Sequence, residues 1–424
     1  MTSASSPDAK KQYLISITII AMMFFIFGFV TWTNGTLIPY LKIACQLESD
    51  FQAYLVATAF FIAYTVMAIP SSILLKKTGY KKGMFIGLCV MAGGALFFIP
   101  AAQARNFNMF LAALFILASG LALLQTASNP YATIIGPIES AATRISIMGI
   151  CNKVAGIIAT WIFGSIALKD ADSLIENLKT MDAVTKAATL DELASRVILP
   201  YAITAAVLIV FAVIILFSSL PDLNDEGEES TVTDNKQKKT SVFQYPYLVL
   251  GVITLFLYVG AEVIAGDTII SYGKSLGIEF AYARYFTIAT LVCMLLGYIV
   301  GIFLIPKYLS QGTALRICAI LGIGFTILAV LTSGYVSVAF IALLGLANSL
   351  IWPAMWPLAI GGLGKFTKIG SALMIMAIAG GAIIPLIYGK LTESVGTQQA
   401  YWVMLPCYLF ILFYAVKGHK IGKA

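Results

Sequence analysis

The chain has 424 residues, of which 60% are hydrophobic and 11% are charged, and its mean hydropathy is +0.92. A soluble domain is about half apolar and a quarter charged, so this composition excludes a water-soluble fold. The formal net charge is +7. The chain has a single histidine, His419, which excludes a histidine proton relay or a zinc site. Its six cysteines are dispersed and form no CxxC motif, so the sequence predicts no disulfide.

Twelve apolar stretches are long enough to cross the roughly 30 Å hydrocarbon core of a bilayer. Strands in lipid satisfy their backbone hydrogen bonds only in a closed barrel, so we interpret these stretches as helices. The sequence therefore predicts an all-α polytopic membrane protein with twelve transmembrane helices. In chain order the stretches lie near residues 14–41, 52–75, 83–101, 107–134, 145–168, 198–219, 246–273, 282–305, 314–331, 336–361, 369–389 and 399–416.

A polar segment divides the chain into two halves with six helices each. Residues 220–242, LPDLNDEGEESTVTDNKQKKTSV, are poor in apolar residues and predict a cytoplasmic linker. The N-terminal six-helix bundle then comprises residues 1–219, and the C-terminal six-helix bundle comprises residues 243–424. We expect the two bundles to be pseudo-symmetric.

Helix-breaking residues occur at corresponding places in the two halves. The first helix of each half carries a glycine among polar residues, and the fourth carries a proline after a polar or aromatic residue. Matching breaks in two halves indicate a transporter with its site at the interface between the repeats. The four breaks are predicted at Asn34-Gly35, Asn129-Pro130, Gly266-Asp267 and Trp352-Pro353.

The longest predicted outer loop, residues 169–197, contains DADSLIENLKTMDAVTKAATLDELASR. Its apolar residues have helical spacing and its charges are balanced. We interpret it as a solvated amphipathic cap without chemistry of its own.

The distribution of basic residues predicts the orientation of the chain. If both termini are cytoplasmic, 17 of the 27 Lys and Arg lie on the cytoplasmic side and nine on the outer side. This is the asymmetry of the positive-inside rule. The basic composition therefore reflects membrane topology, and we expect the lipid bilayer, and no nucleic acid, as a partner.

Four segments resemble a known family: FFIFGFVTWTNGTLIPYLK (24–42), GLALLQTASNPYATIIGP (120–137), YVGAEV (258–263) and WPAMWPLAIGGLG (352–364). They are similar to the sugar porters related to fucose permease, a branch of the major facilitator superfamily that includes glucose/galactose and N-acetylglucosamine transporters. The resemblance extends over the whole chain. It implies a twelve-helix symporter that takes up a hexose-type sugar through the bacterial inner membrane by alternating access.

Several positions depart from the pattern of that family. Gly35 stands where fucose permease has an aspartate, and Gln125 stands where the family motif begins with glutamate. Both carboxylates that the resemblance links to proton coupling and sugar binding are therefore neutral here. Lys153 replaces the small residue that usually follows the asparagine at Asn152, and Trp352 replaces a tyrosine.

Three charged residues lie within predicted membrane helices: Lys153, Glu262 and Asp267. A charge at such depth costs about 2.5–3.5 kcal/mol on insertion scales, so each needs a partner or a function. We expect Lys153 to pair with Glu262, or else with Asp267, and the residual acid to be the coupling site for Na⁺ or H⁺. The alternatives are a structural Lys153 bonded to carbonyls near Gln125, a helix-packing Glu262 and a water-solvated Asp267.

Polar and aromatic residues of the apolar helices form the predicted sugar site. Amides hydrogen-bond to sugar hydroxyls and an indole stacks on a pyranose face, although amides in membrane helices also join helices to each other. The predicted substrate-binding residues are Asn34, Gln125, Asn129, Asn152, Trp352 and Trp356, with Tyr258 and Asn348 as further members.

The function predicted from the sequence is cation-coupled uptake of a hexose or amino-hexose by a monomer without a bound cofactor. The sequence favours Na⁺ over H⁺, with an ion near Glu262 and Asp267, because the remaining amides are good neutral ligands. Alternatives are an acidic-sugar symporter using Lys153, a sugar uniporter and a transporter-like sensor. No Ser/His/Asp set, phosphate loop or metal cluster indicates an enzyme.

Overall fold

The computed structural model describes residues 7–134, 141–218, 240–305 and 307–423, and these residues contain helices and no strand. Eleven helical segments in this part of the chain are long and apolar enough to cross a membrane. One of them, Asp50–Gln103, has 54 residues and leaves the helical conformation at Gly79 (φ 77°, ψ 170°). Because this segment supplies two crossings, the all-α fold with twelve predicted crossings is confirmed.

The N-terminal half contains α1 (Pro7–Thr31), α2 (Asn34–Ala44), α3 (Asp50–Gln103), α4 (Phe107–Ile134), α5 (Ala141–Ala167), α6 (Ala171–Asn177), α7 (Ala183–Ser195) and α8 (Ile198–Phe217). The C-terminal half contains α9 (Pro246–Asp267), α10 (Ile269–Ser275), α11 (Phe280–Ala283), α12 (Phe286–Leu304), α13 (Gln311–Leu331), α14 (Gly334–Ser349), α15 (Ile351–Ile360), α16 (Thr367–Met376), α17 (Gly380–Val395), α18 (Thr397–Ala400) and α19 (Met404–Val416). Short 3₁₀ helices comprise Val242–Gln244, Gly364–Phe366, Ala377–Ala379, Tyr401–Val403 and Gly418–Lys420.

Three of the four predicted helix breaks lie at or beside the expected residues. The first crossing is interrupted between Thr31 and Asn34, and α9 ends at Asp267. The third interruption falls at Leu350, so Pro353 occupies the first turn of α15, where its missing N–H removes no helical hydrogen bond.

The predicted break at Asn129-Pro130 is wrong, because α4 continues through it to Ile134. Membrane helices tolerate proline where neighbouring groups satisfy the carbonyl that the ring leaves free. The predicted linker, 220–242, is largely outside the described residues, which resume at Thr240.

The two ends of the helical bundle differ in the segments that lie there. We call the end that bears α6 and α7 the loop face, and the opposite end, where α8 finishes and α9 begins, the linker face. The predicted amphipathic cap is helical, as α6 and α7. Within it Arg196 hydrogen-bonds to Asp170 and lowers the pKa of that carboxyl below its usual value.

The cap also joins the two halves, which the sequence did not indicate. Asp172 of α6 forms an ion pair with Lys274 of α10 and accepts a hydrogen bond from the Ala281 backbone N–H at 3.3 Å. A second contact between the halves on this face is the hydrogen bond from Thr392 to Asp50, at 3.2 Å. The two halves are therefore held together at the loop face.

Within each half, a glycine brings the first and fifth crossings into backbone contact. A Cβ added to Gly28 of α1 would lie 1.8 Å from the carbonyl oxygen of Asn152 in α5. A Cβ added to Gly380 of α17 would lie 1.7 Å from the carbonyl oxygen of Phe256 in α9. The first and fifth crossings of each half are thus packed in the same way, as expected for a structural repeat.

We predict that Gly28→Ala and Gly380→Ala each destabilise the protein by about 1–3 kcal/mol, because overpacking forces the helices apart. Thermal unfolding in detergent measures the effect. Gly93→Ala and Gly324→Ala are matched controls, since nothing lies within 4 Å of a Cβ at either position. Unfolding of Gly28→Ala at the temperature of the controls would contradict this close packing.

Candidate substrate site

A cavity lies at the junction of the two halves, with a volume of about 820 Å³ including its open mouth. Helices α1, α3, α4 and α5 supply its N-terminal wall, and α9, α12 and α15 supply most of its C-terminal wall. Its lining reaches towards the linker face, as far as Asn129 near the end of α4 and Ile145 near the start of α5. Towards the loop face it ends at Trp32.

An ion pair crosses the cavity and joins the two halves. Lys153 Nζ of α5 lies 3.1 Å from Glu262 Oε1 of α9, and the two side chains are only 7% and 14% exposed. The sequence left open which acid meets Lys153, and the structure pairs it with Glu262. These are the two charged residues among the cavity-lining side chains that the structure describes, so the cavity wall carries no net charge.

Trp32 organises the N-terminal side of the ion pair. Its ring centroid lies 4.2 Å from Lys153 Nζ, at the distance of a cation–π interaction. Its indole N–H donates to Asn152 Oδ1 at 3.1 Å, while Asn152 Nδ2 donates to the Phe24 carbonyl at 3.4 Å. Asn152 therefore both lines the cavity and joins α5 to the first crossing.

Four further predicted residues line the cavity: Gln125, Asn129, Tyr258 and Trp352. Gln125 Nε2 donates to the hydroxyl of Tyr64 at 3.0 Å, so the amide is held by another residue of the cavity wall. With Asn152, these side chains place three amides, the Tyr258 phenol and the Trp352 indole around the ion pair, in addition to the Trp32 ring. Such a set can donate and accept hydrogen bonds while offering one flat apolar surface.

Three predicted sugar ligands do not line the cavity. Asn34 is 1% exposed and lies beyond Trp32, and Asn348 Oδ1 accepts a hydrogen bond from the buried Tyr408 hydroxyl at 2.9 Å. Trp356 stacks on Trp352, with ring centroids 5.6 Å apart at 19°, so it supports that ring from behind. The placement of these residues in the site is therefore corrected, because facing direction around a helix depends on breaks that sequence spacing does not fix.

Asp267 also lies outside the cavity lining. It is the last residue of α9 and only 2% exposed, so the alternative in which water solvates it is wrong for this structure. In the described part of the chain, no Lys, Arg or His pairs with its carboxylate. It is therefore an acid buried beside the loop face without a counter-ion among the residues that the structure describes.

Among the lining residues that sequence reasoning missed are three aromatic residues with a polar atom: Trp32, Tyr64 and Tyr298. The sequence contained a usable signal for Trp32, since this residue lies two positions before the predicted break at Asn34-Gly35. The two tyrosines had none, because a tyrosine inside an apolar helix is as often a buried packing residue.

A membrane bundle of two similar halves around a central polar cavity is the architecture of a secondary transporter. The sequence model of the Major Facilitator Superfamily matches residues 20–379. The chain therefore belongs to the Major Facilitator Superfamily, and it is a transporter and not an enzyme.

Similar proteins extend over nearly the whole chain. A glucose/galactose transporter of Brucella abortus is 35% identical over 420 residues, covering 97% of this chain and 96% of that protein. The L-fucose-proton symporter of Escherichia coli is 28% identical over 414 residues, covering 96% and 93%. The crystal structure of the transporter FucP in the outward conformation superposes with a TM-score of 0.74 at 28% identity, covering 95% of this chain and 98% of that one.

We predict that Lys153 and Glu262 are energetically coupled. Lys153→Met or Glu262→Gln alone should destabilise the protein by about 3–5 kcal/mol, because either leaves a buried charge without its partner. The double variant should be more stable than either single variant. Thermal unfolding of the purified proteins completes the double-mutant cycle, and simple additivity of the two single effects would argue against coupling.

Proposed function

We propose that this transporter takes up a neutral hexose or amino-hexose by alternating access, driven by a co-transported cation. The observation that carries the proposal is the neutral cavity at the junction of the halves, lined by three amides and the Trp352 ring. The names of the similar proteins, glucose/galactose transporter and L-fucose-proton symporter, support the substrate class. The excess of basic residues supports a cytoplasmic linker face in a bacterial inner membrane.

The ion pair favours a neutral sugar over the alternative of an acidic one. Lys153 already contacts Glu262 at 3.1 Å, so a sugar carboxylate would have to displace Glu262 and leave that acid unpaired in a poorly solvated site. A neutral sugar needs only hydrogen bonds from the amides that surround the pair.

Asp267 is our proposed coupling group. A carboxylate that is 2% exposed and has no counter-ion in the described ranges of the chain is costly unless a cation accompanies it. That cation is either a proton on the carboxyl or a metal ion beside it. We place the proton first because the Escherichia coli relative is named a proton symporter, whereas the sequence alone favoured Na⁺; a sodium site near Glu262 and Asp267 is the alternative.

The substrate proposal predicts counterflow of neutral sugars in proteoliposomes. Labelled glucose, galactose or N-acetylglucosamine should exchange, and glucuronate should not. Asn129→Ala and Asn152→Ala should each weaken sugar binding by about 1–3 kcal/mol, because each removes a hydrogen-bonding partner. The matched control is Asn177→Ala, an exposed amide of α6. Exchange of glucuronate alone would establish the acidic-sugar alternative, and unchanged affinity in both cavity variants would assign these amides to helix packing.

The coupling proposal predicts that Asp267→Asn abolishes uphill accumulation and keeps counterflow, because exchange needs no net cation movement. Imposed pH and Na⁺ gradients across the vesicles identify the cation. Glu192→Gln, an exposed acid on the loop face, is the control. If the wild-type protein accumulates sugar under neither gradient, it is a uniporter. If Asp267→Asn still accumulates sugar, coupling lies elsewhere, and Glu262→Gln is the next variant to test.

A further inference from the structure

Trp32 lies between the two halves at the loop-face end of the cavity. On the side of its own half, a Cβ added to Gly156 of α5 would lie 2.5 Å from its Cδ1 atom. On the opposite side, a Cβ added to Gly266 of α9 would lie 2.4 Å from its Cζ3 atom. The ring also packs with Leu291 and Met294 of α12 in a separate buried cluster. The indole, only 4% exposed, therefore fills a slot whose two walls belong to different halves.

On the loop-face side of Trp32, the residues that follow it in α2 are shielded from water in this structure. Residues 34–41 of α2 are all buried, and α2 touches α9 where a Cβ on Gly35 would lie 3.2 Å from the Gly266 carbonyl oxygen. The indole is thus the last side chain between the cavity and a sealed loop face. Opening that face requires α9 and α12 to move away from the ring.

The same indole touches the ion pair through Lys153 and the cavity amide of Asn152. We infer that Trp32 is the loop-face gate of the transporter and the residue that links the state of the Lys153–Glu262 pair to opening of that gate. This role rests on the alternating access proposed above, but it is a property of the empty protein and its test needs no sugar.

The glycine at position 266 is part of the gate. A side chain there would collide with the indole only when the two halves are closed on the loop face. A side chain at Gly156 would crowd the same ring in every state, because α5 and Trp32 belong to one half and move together. The two glycines therefore offer a matched pair of substitutions on opposite sides of one side chain.

Spin-label distances across the loop face measure the equilibrium between open and closed states. Glu192 of α7 and Glu279, which precedes α11, are exposed and belong to different halves. Each is replaced by cysteine and labelled, in a protein whose six native cysteines, all free thiols in this structure, are replaced by alanine or serine. The distance distribution in sugar-free nanodiscs then gives the ratio of the open to the closed population.

Gly266→Ala and Trp32→Ala should each raise the open-to-closed ratio roughly tenfold, since the first crowds the closed slot and the second empties it. Gly156→Ala should lower thermal stability and leave the ratio near that of wild type. With Trp32→Ala as background, Gly266→Ala should have little further effect, because the methyl group then has room. An equal shift by Gly156→Ala, or an undiminished effect of Gly266→Ala without the indole, would show that Trp32 is not the gate.

A second cycle tests the link to the ion pair. Lys153→Met removes the cation that faces the ring, and it should change the ratio by about threefold or more when Trp32 is present. The same substitution should change the ratio little when Trp32 is replaced by leucine. Equal effects in both backgrounds would leave Trp32 as packing only. Absence of sugar transport with these distance shifts intact would overturn the proposed substrate and keep the gate.

Discussion

The Lys153–Glu262 ion pair is the interaction on which the rest of this structure depends. Lysine is costly at this depth of a membrane, and its counter-charge comes from the other half of the protein. The two halves therefore cannot separate at this point without exposing both charges to water or offering them new partners. Any motion that admits or releases a solute must pass through a change in the surroundings of this pair.

The pair also determines what the remaining polar groups can do. Because Glu262 neutralises Lys153, the cavity presents amides and aromatic rings and no net charge, which suits a neutral hydroxylated solute. Because one base cannot neutralise two acids, Asp267 is left without a protein counter-ion in the described part of the chain. In our proposal, substrate recognition thus falls on the amides around the ion pair and cation coupling on Asp267, which lies on α9 one turn beyond Glu262.

The sequence predicted the twelve crossings, the two halves and the ion pair, because apolar stretches and charged residues inside them can be identified directly along the chain. It predicted only part of the set of residues that face the cavity. Asn34 and Trp32 are only two residues apart. Because the helix is interrupted between α1 and α2, the Trp32 ring lines the cavity while the Asn34 amide is buried beyond that ring. The positions of the Trp356 and Asn348 side chains are set by their contacts with Trp352 and Tyr408, and spacing along the sequence does not reveal these contacts.

Two kinds of close contact made at glycines differ in whether they can open: backbone contacts within a half, which stay closed, and ring contacts between the halves, which can open. Within each half, a glycine meets a backbone carbonyl, as at Gly28 and Gly380, and such contacts cannot be relieved by turning a side chain. Between the halves, the tightest glycine contacts are with aromatic rings, whereas the backbone contact of Gly35 with the Gly266 carbonyl oxygen is looser, at 3.2 Å from an added Cβ. The pairs with rings are Gly149 with Tyr298, Gly266 with Trp32, Gly381 with Phe61 and Gly389 with Tyr54.

A ring can leave a glycine by rotation about its own side-chain bonds, whereas two backbones in contact can separate only if whole helices move. Each half is therefore built as a rigid body, and the seam between the halves consists of separable contacts. The polar contacts at the loop face have the same property, because water can replace the partners of Asp172 and Asp50. Trp32 is the point where this separable seam meets the substrate cavity.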